Sequence, residues 1–162
     1  MPKWFAALAL GLVSTGPARA AEPASASAPV VRISAIEARL WYQFGGRLSK
    51  NLLAGKEPFA GWNTIIGEGS AEEPASDLLV DVLMTGGGAD EASIDDPLDI
   101  WVTNKAGKVL ARRRVGNMLL PREGALHNPL WLQDVACAGK LTFHAKFRKQ
   151  TRTASLSLDC GE

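Results

Sequence analysis

The sequence predicts an all-β domain: an antiparallel β-sandwich of immunoglobulin-like architecture, with a small β-barrel as the alternative. Two observations support this fold class. Apolar residues recur at every second position over several short segments, which is the period of a half-buried strand. Glycine, proline, asparagine and aspartate separate these segments, and no convincing helical period follows residue 20. We expect roughly six to eight strands.

The first strand is expected over residues 34–44, where apolar and polar residues alternate. The two glycines that follow interrupt it, and residues 47–53 could continue as strand after a bulge. Residues 54–63 contain two glycines and a proline, which indicates a long loop. A short strand is expected after this loop, at residues 64–66.

The middle of the chain contains three further strand patterns. Residues 78–84 are largely apolar on both faces, which predicts a central strand. Residues 98–103 and 109–115 flank an Asn-Lys-Ala-Gly turn and are expected to form a hairpin. Residues 116–135 contain two prolines and indicate a crossover loop, with one short strand at 118–120.

The chain closes with two alternating segments, at residues 141–148 and 153–160, which predict a second hairpin. If residues 149–150 form its tip, Phe143 faces Leu156 across the two strands. The residues on the apolar phase of their strands are the candidate core: Leu40, Val82, Ile100, Phe143 and Leu156.

The two cysteines, Cys137 and Cys160, are expected to form a disulfide. The predicted hairpin places them diagonally near each other, and a bulge or slip would make them direct neighbours. Closing this loop should stabilise the fold by about 3 kcal/mol in the chain-entropy account.

The amino terminus has the layout of a secretory signal peptide over residues 1–20: a lysine, an apolar run at 4–13 and an Ala-Arg-Ala cleavage site. Residues 21–30 are rich in proline, alanine and serine and are expected to form a flexible tether. Residues 31–162 then form a single domain. We expect a periplasmic or secreted protein with no membrane span, because no later run reaches about 18 apolar residues.

Charge is segregated along the chain. Residues 21–99 contain 13 acidic and 5 basic residues, whereas residues 100–162 contain 4 acidic and 11 basic residues. Because the totals nearly cancel, general nucleic-acid binding is not expected. The ordinary explanation is that the two halves neutralise each other within one sandwich, and head-to-tail self-association is the alternative. Likewise, the run of arginines at 112–114 is explained by a charged, solvated strand edge.

The candidate binding residues are aromatic. Trp41 and Trp101 fall on the polar phase of their strands, while Trp62 and Phe59 lie in the glycine-bearing loop. Exposed tryptophans suit protein interfaces and stacking on sugar rings. The alternative is that loops cover these rings as a second core. Trp131, between two leucines, is expected in the main core.

No sequence motif of a known catalytic site or nucleotide-binding loop is present, and no cofactor is expected. His144 is expected on a solvated strand face, and His127 in a loop. The loop around residue 95 is acidic and could bind calcium, although acidic loops are commonly only solvated. Its candidate ligands are Asp90, Asp95, Asp96 and Asp99.

The sequence therefore favours an exported, non-catalytic interaction domain that presents loops and an aromatic-bearing sheet face to a protein partner. The alternative is a carbohydrate-binding module, possibly assisted by calcium, that uses its tryptophans as stacking platforms. A hydrolase is the third hypothesis.

Overall fold

The computed structural model describes residues 30–87 and 90–161. The predicted signal peptide and residues 21–29 of the predicted tether lie outside this part of the chain. The strands of the described part are β1 (Val30–Tyr42), β2 (Arg47–Leu48), β3 (Gly61–Trp62), β4 (Asp77–Gly87), β5 (Ala92–Ile94), β6 (Leu98–Thr103), β7 (Val109–Val115), β8 (Met118–Leu120), β9 (Leu126–Leu132), β10 (Gly139–Phe147) and β11 (Gln150–Asp159).

These strands form two main sheets. Sheet A has the order β2-β1-β4-β9, and sheet B has the order β3-β11-β10-β6-β7. The short strands β5 and β8 pair with each other. Neighbouring strands are antiparallel except β3 and β11, which are parallel. The sheets pack against each other as a β-sandwich, which confirms the predicted fold class, and β4 is central in sheet A as expected.

The core lies between the two sheets because most of the long strands alternate buried and accessible residues, with β7 as an exception. All five core positions expected from the sequence are buried: Leu40, Val82, Ile100, Phe143 and Leu156. The bulkiest fully buried side chains are those of Tyr42, Phe143 and Phe147. Burying a side chain of this size stabilises a fold by about 1.5–3 kcal/mol, so strand alternation supplies the main driving force for the sandwich.

The closing hairpin has a different register from the expected one. Phe143 faces Ala154, and Leu156 faces Leu141, because the chain turns at residues 148–149 instead of 149–150. Arg148 adopts a left-handed backbone conformation with φ 53° at this turn. Long side chains rarely adopt it, so the pattern of residue types did not indicate the turn.

The shifted register brings the two cysteines opposite each other. Cys137 and Cys160 form a disulfide with their Cα atoms 5.1 Å apart, as expected from the sequence. The bond lies just beyond the open ends of β10 and β11, where it joins the last residues of the described chain to the hairpin.

Two expectations for the segment after β1 were wrong. The chain reverses at residues 43–46, so the residues that follow do not continue β1 but pair back onto it as β2. Residues 64–66 form a 3-10 helix instead of a strand, because left-handed residues enclose them: Asn63 with φ 46° and Gly67 with φ 77°.

Strand β9 lies inside the segment expected to be a crossover loop. Its buried positions include Asn128, whose side-chain amide donates to the backbone oxygens of Val82 and Leu126. Pro129 has no backbone N–H, but this removes no backbone hydrogen bond between β9 and β4. The backbone of Pro129 points away from β4, where its carbonyl accepts from Arg113. The buried amide and the proline therefore concealed this strand in the sequence.

Side chains close the gap between the sheets where β1 and β11 run side by side. The Gln150 amide accepts from the Ile33 N–H at 3.0 Å and donates to the Val31 carbonyl at 2.8 Å. Arg152 donates to the carbonyl of Ser34 at 2.6 Å. These bonds cover backbone groups of β1 that no strand pairs, which limits unwanted pairing with other chains.

Ion pairs connect the acidic first half of the chain to the basic second half. They join Asp81 to His127, Asp90 to Arg122, Asp96 to Arg148, and Asp99 to Arg112. This arrangement agrees with the neutralisation of the two halves within one sandwich. Separately, residues 30–87 and 90–161 include no helix with the length and apolar character that crossing a bilayer requires.

Candidate binding surfaces

The aromatic residues singled out in the sequence are spread over different surfaces. We call the outward side of sheet A face A and the outward side of sheet B face B. Trp41 lies on face A, because its neighbours Leu40 and Tyr42 point into the core. Trp101 and Trp62 lie on face B, on β6 and β3, at either side of the β10–β11 hairpin. The structure therefore does not bring the three tryptophans together.

Face A has an aromatic pair that the sequence interpretation did not identify. Trp131 was expected in the core, but it lies outward on β9 and is 40% exposed. Its ring meets that of Trp41 edge to face, with centroids 5.8 Å apart. Leu79 of β4 is directly opposite Trp131 and supplies half-buried apolar surface between β1 and β9, the strands that flank β4.

The indole of Trp131 is held in place by one carboxylate. Its Nε1–H donates to Asp77 Oδ2 at 3.1 Å, and the other oxygen of Asp77 accepts the backbone N–H of Asp134 at 3.2 Å. A ring fixed in this way loses little conformational entropy when a partner covers it. The ring of Trp131 is therefore held in a fixed position on face A.

A groove of about 520 Å³ adjoins Trp131, between β9 and β7. Its apolar lining includes Leu110, Leu132 and Val135, and Leu110 is itself exposed. Trp41, Leu79 and Trp131 thus form an apolar patch on face A, and this groove, whose lining is partly polar, adjoins the patch at Trp131.

Trp101 on face B is not open for stacking. Its ring is parallel to that of His144, with a centroid distance of 4.8 Å and an interplanar angle of 2°. The guanidinium of Arg112 lies 6.0 Å from the ring centroid. Because β10 and β7 flank β6, these two side chains cover opposite faces of the indole. The ring is therefore half-buried, with His144 and Arg112 packed beside it.

Trp62 is exposed, as the sequence predicted. It lies beside Asp159 at the end of β3, and 49% of its surface is accessible. Gly161 lies so close to the six-membered ring that a Cβ at that glycine would be 3.0 Å from Cζ2. The ring is therefore supported by backbone on one side while about half of its surface stays available.

Phe59 lines a cavity of about 390 Å³ beside β11 and is half-buried. Leu52 and Leu156 supply further apolar surface there, and Ser155 and Ser157 supply hydroxyls. The Phe59 loop therefore covers the edge of β11, on the side of the molecule away from β7.

The two histidines occupy strands, not loops. His144 Nε2 is 3.0 Å from the Thr103 hydroxyl, and burial lowers the pKa of this histidine. His127 Nδ1 is 2.6 Å from Asp81 Oδ2, and the other oxygen of Asp81 accepts the backbone N–H of Asn128. This pair lies on face A with the histidine side chain 60% exposed, where it links β9 to β4.

The four carboxylates considered as calcium ligands do not converge on one point. Among residues 30–87 and 90–161, no three histidine, cysteine, aspartate or glutamate side chains are grouped so that they could hold a metal ion. Asp90, Asp96 and Asp99 each form an ion pair with a different arginine. Arginines thus neutralise much of the acidic loop.

A strand assignment that allowed a proline at a sheet edge would have placed Trp131 outward, since Leu130 and Leu132 flank it. No protein-family model matches this chain, and no curated protein is significantly similar to it in sequence. Its functional interpretation therefore depends on the two faces and the cavities beside them.

Proposed function

We propose that this protein is an exported, non-catalytic interaction domain that binds a protein partner through face A and the adjoining groove. The observation that carries this proposal is the exposed, pre-positioned ring of Trp131 beside Trp41. Buried tryptophans are among the residues that contribute most to protein interfaces, and they act best at the centre of an apolar patch. Leu79 supplies part of that patch, and the exposed Leu110 in the adjoining groove adds apolar surface beside it.

The charges around the patch favour a partner with an apolar centre and a basic rim. Asp77 and Asp81 lie outward on face A beside the patch, with Asp81 held by His127, while the third carboxylate of this face, Glu37, is paired with Arg39. Such rim charges act mainly on the rate of association and on the choice of partner.

The Asp81–His127 pair supports binding better than catalysis. The pair is on an open sheet face, and its carboxylate is also used to fix the backbone of β9. A hydrolase would need a nucleophile within hydrogen-bonding reach of the histidine in a site that excludes water.

Export is supported by the disulfide, since such bonds persist mainly in oxidising compartments. The immunoglobulin-like architecture is supported by the strand order. If the seven longest strands are lettered A, B, C, C′, E, F and G along the chain, the sheets read A-B-E and G-F-C-C′. An experimental structure in which β9 paired with β10 instead of β4 would contradict this architecture.

The test compares Trp131→Ala with Trp62→Ala as the matched control on face B. Partners captured by the mature protein from an extract of its own compartment are identified, purified and titrated by calorimetry. We expect Trp131→Ala to weaken binding by about 2 kcal/mol or more, roughly thirtyfold, and Trp62→Ala to leave it unchanged. A partner that loses affinity only with Trp62→Ala would contradict the proposal, as would the capture of no protein.

A further inference from the structure

Face B has a column of unpartnered hydroxyls on its strand β11. Four successive outward positions are threonine or serine: Thr151, Thr153, Ser155 and Ser157. All four residues are exposed, and their hydroxyls form no hydrogen bond with another described residue. Because a strand rises about 3.4 Å per residue, the column and the next outward residue, Asp159, extend over about 27 Å.

Two lysines of β10 stand beside the ends of this column. Lys146 is opposite Thr151, and Lys140 is opposite Ser157. Neither lysine pairs with a carboxylate in the described part of the chain. An extended ligand along the four hydroxyls would therefore meet a positive charge beside each end of this run, and the Asp159 carboxylate lies beyond Ser157 next to Trp62.

Two further features beside the column, an exposed aromatic ring and a cavity, suit a ligand that is built from sugar rings. Trp62 lies at its far end, next to Asp159, with about half of its surface exposed. The cavity of about 390 Å³ that contains Phe59 opens at Ser155 and Ser157. A volume of this size lies within the range of small-ligand pockets.

We propose that β11 binds an acidic polysaccharide, with the hydroxyls of the column bonded to sugar hydroxyls, Lys140 and Lys146 bonded to sugar carboxylates, and the Trp62 ring stacked on one sugar. This surface differs from the one proposed for the protein partner, and it depends on different residues. The polysaccharide runs along the hairpin, across the sandwich from face A.

The composition of the surface distinguishes this ligand from other polymers. Lysine and serine are depleted in protein interfaces, whose centres are apolar. Single-stranded nucleic acid needs a series of aromatic rings, but Arg112 and His144 cover both sides of Trp101. A neutral polysaccharide would leave the two lysines without a counter-charge.

The experiment measures retardation of the mature protein in native gels that contain polygalacturonate, with dextran and single-stranded DNA as comparison polymers. Lys140→Gln/Lys146→Gln is expected to weaken polygalacturonate binding about tenfold, because charge-assisted hydrogen bonds are the strong ones. Ser155→Ala/Ser157→Ala should weaken it severalfold without a change in charge. The control Lys105→Gln/Lys108→Gln removes two exposed lysines from the turn after β6 and should have little effect.

Absence of retardation by polygalacturonate would overturn the proposal. Equal loss of polygalacturonate binding in Lys140→Gln/Lys146→Gln and in the control Lys105→Gln/Lys108→Gln would also overturn it, because only net charge would then matter. Retardation by single-stranded DNA equal to that by polygalacturonate would overturn it as well. Trp131→Ala should leave polygalacturonate binding intact whether or not face A binds a protein. The two proposals can therefore fail separately.

Discussion

At the residue scale, Thr64 has a buried polar atom without a partner. Its side chain is completely buried, and its Oγ1 is the only buried side-chain oxygen or nitrogen of the described residues that forms no hydrogen bond. By contrast, the Ser49 hydroxyl accepts from the Leu40 N–H at 2.9 Å and donates to the Lys50 carbonyl. An unpaired buried hydroxyl costs free energy that a methyl group of the same shape would not.

Thr64→Val should therefore raise the free energy of unfolding, by about 1 kcal/mol, because it removes only the unpaired hydroxyl. Urea denaturation measures this change. Ser49→Ala is the control and should lower stability by about 1–3 kcal/mol, since it leaves the Leu40 N–H unpaired. A loss of stability in Thr64→Val as large as that of the control would contradict the assignment of Thr64.

Phe143 is the residue that best tests the inward face of β10. Its ring is completely buried, so Phe143→Ala should lower the free energy of unfolding by about 3–5 kcal/mol through lost burial and a new cavity. Phe44, which is 82% exposed in the turn after β1, is the control and should change stability by less than about 0.5 kcal/mol. A loss below about 1 kcal/mol for Phe143→Ala would show that β10 faces the other way.

At the element scale, regular alternation made most strands predictable. Strands β1, β4, β6, β10 and β11 follow the period of two that their apolar residues indicated, whereas β7 was predicted from the Asn-Lys-Ala-Gly turn before it and shows no such alternation. Strand β9 could not be found in this way because its inward Asn128 is polar and its Pro129 resembles a loop residue. The 3-10 helix at 64–66 was hidden for a different reason, since the backbone conformations of its neighbours decided it.

The candidate site was less predictable than the fold. The alternation of polar and apolar residues alone predicted that Trp41 and Trp101 point outward, and the structure confirms this. It did not predict which side chains cover each ring. The stacking of His144 and Arg112 on Trp101 depends on which strands are neighbours. Trp131 joined the site only because β9 pairs with β4 next to Leu79. Such pairings connect distant parts of the chain, and no local pattern reports them.

The hairpin of β10 and β11 owes part of its stability to the disulfide. The bond closes a loop with a sequence separation of 23 residues, so Cys137→Ser/Cys160→Ser should lower the free energy of unfolding by about 3 kcal/mol. The wild type should lose a similar amount in a reducing agent, whereas the double variant should not respond to it. A thiol assay of unfolded, unreduced wild type should find no free thiol, and finding two would contradict the pairing.

At the scale of the whole molecule, the two outer surfaces differ in chemistry. Face A carries the Trp41–Trp131 pair and adjoins the groove at Leu110, whereas face B carries the hydroxyl column and unpaired lysines. Ion pairs between the acidic and basic halves of the sequence neutralise part of the charge segregation within the sandwich. The two proposals therefore assign ligands of different classes to opposite surfaces of the sandwich.

The central claim is that the protein partner covers face A, and oxidative footprinting of the tryptophans in the purified complex tests it most directly. Mass spectrometry would give the modification rate of each ring in the free and bound protein. We predict that binding slows the modification of Trp131 and Trp41 and leaves Trp62 at its free rate. Protection of Trp62, with Trp131 still modified at its free rate, would contradict the claim.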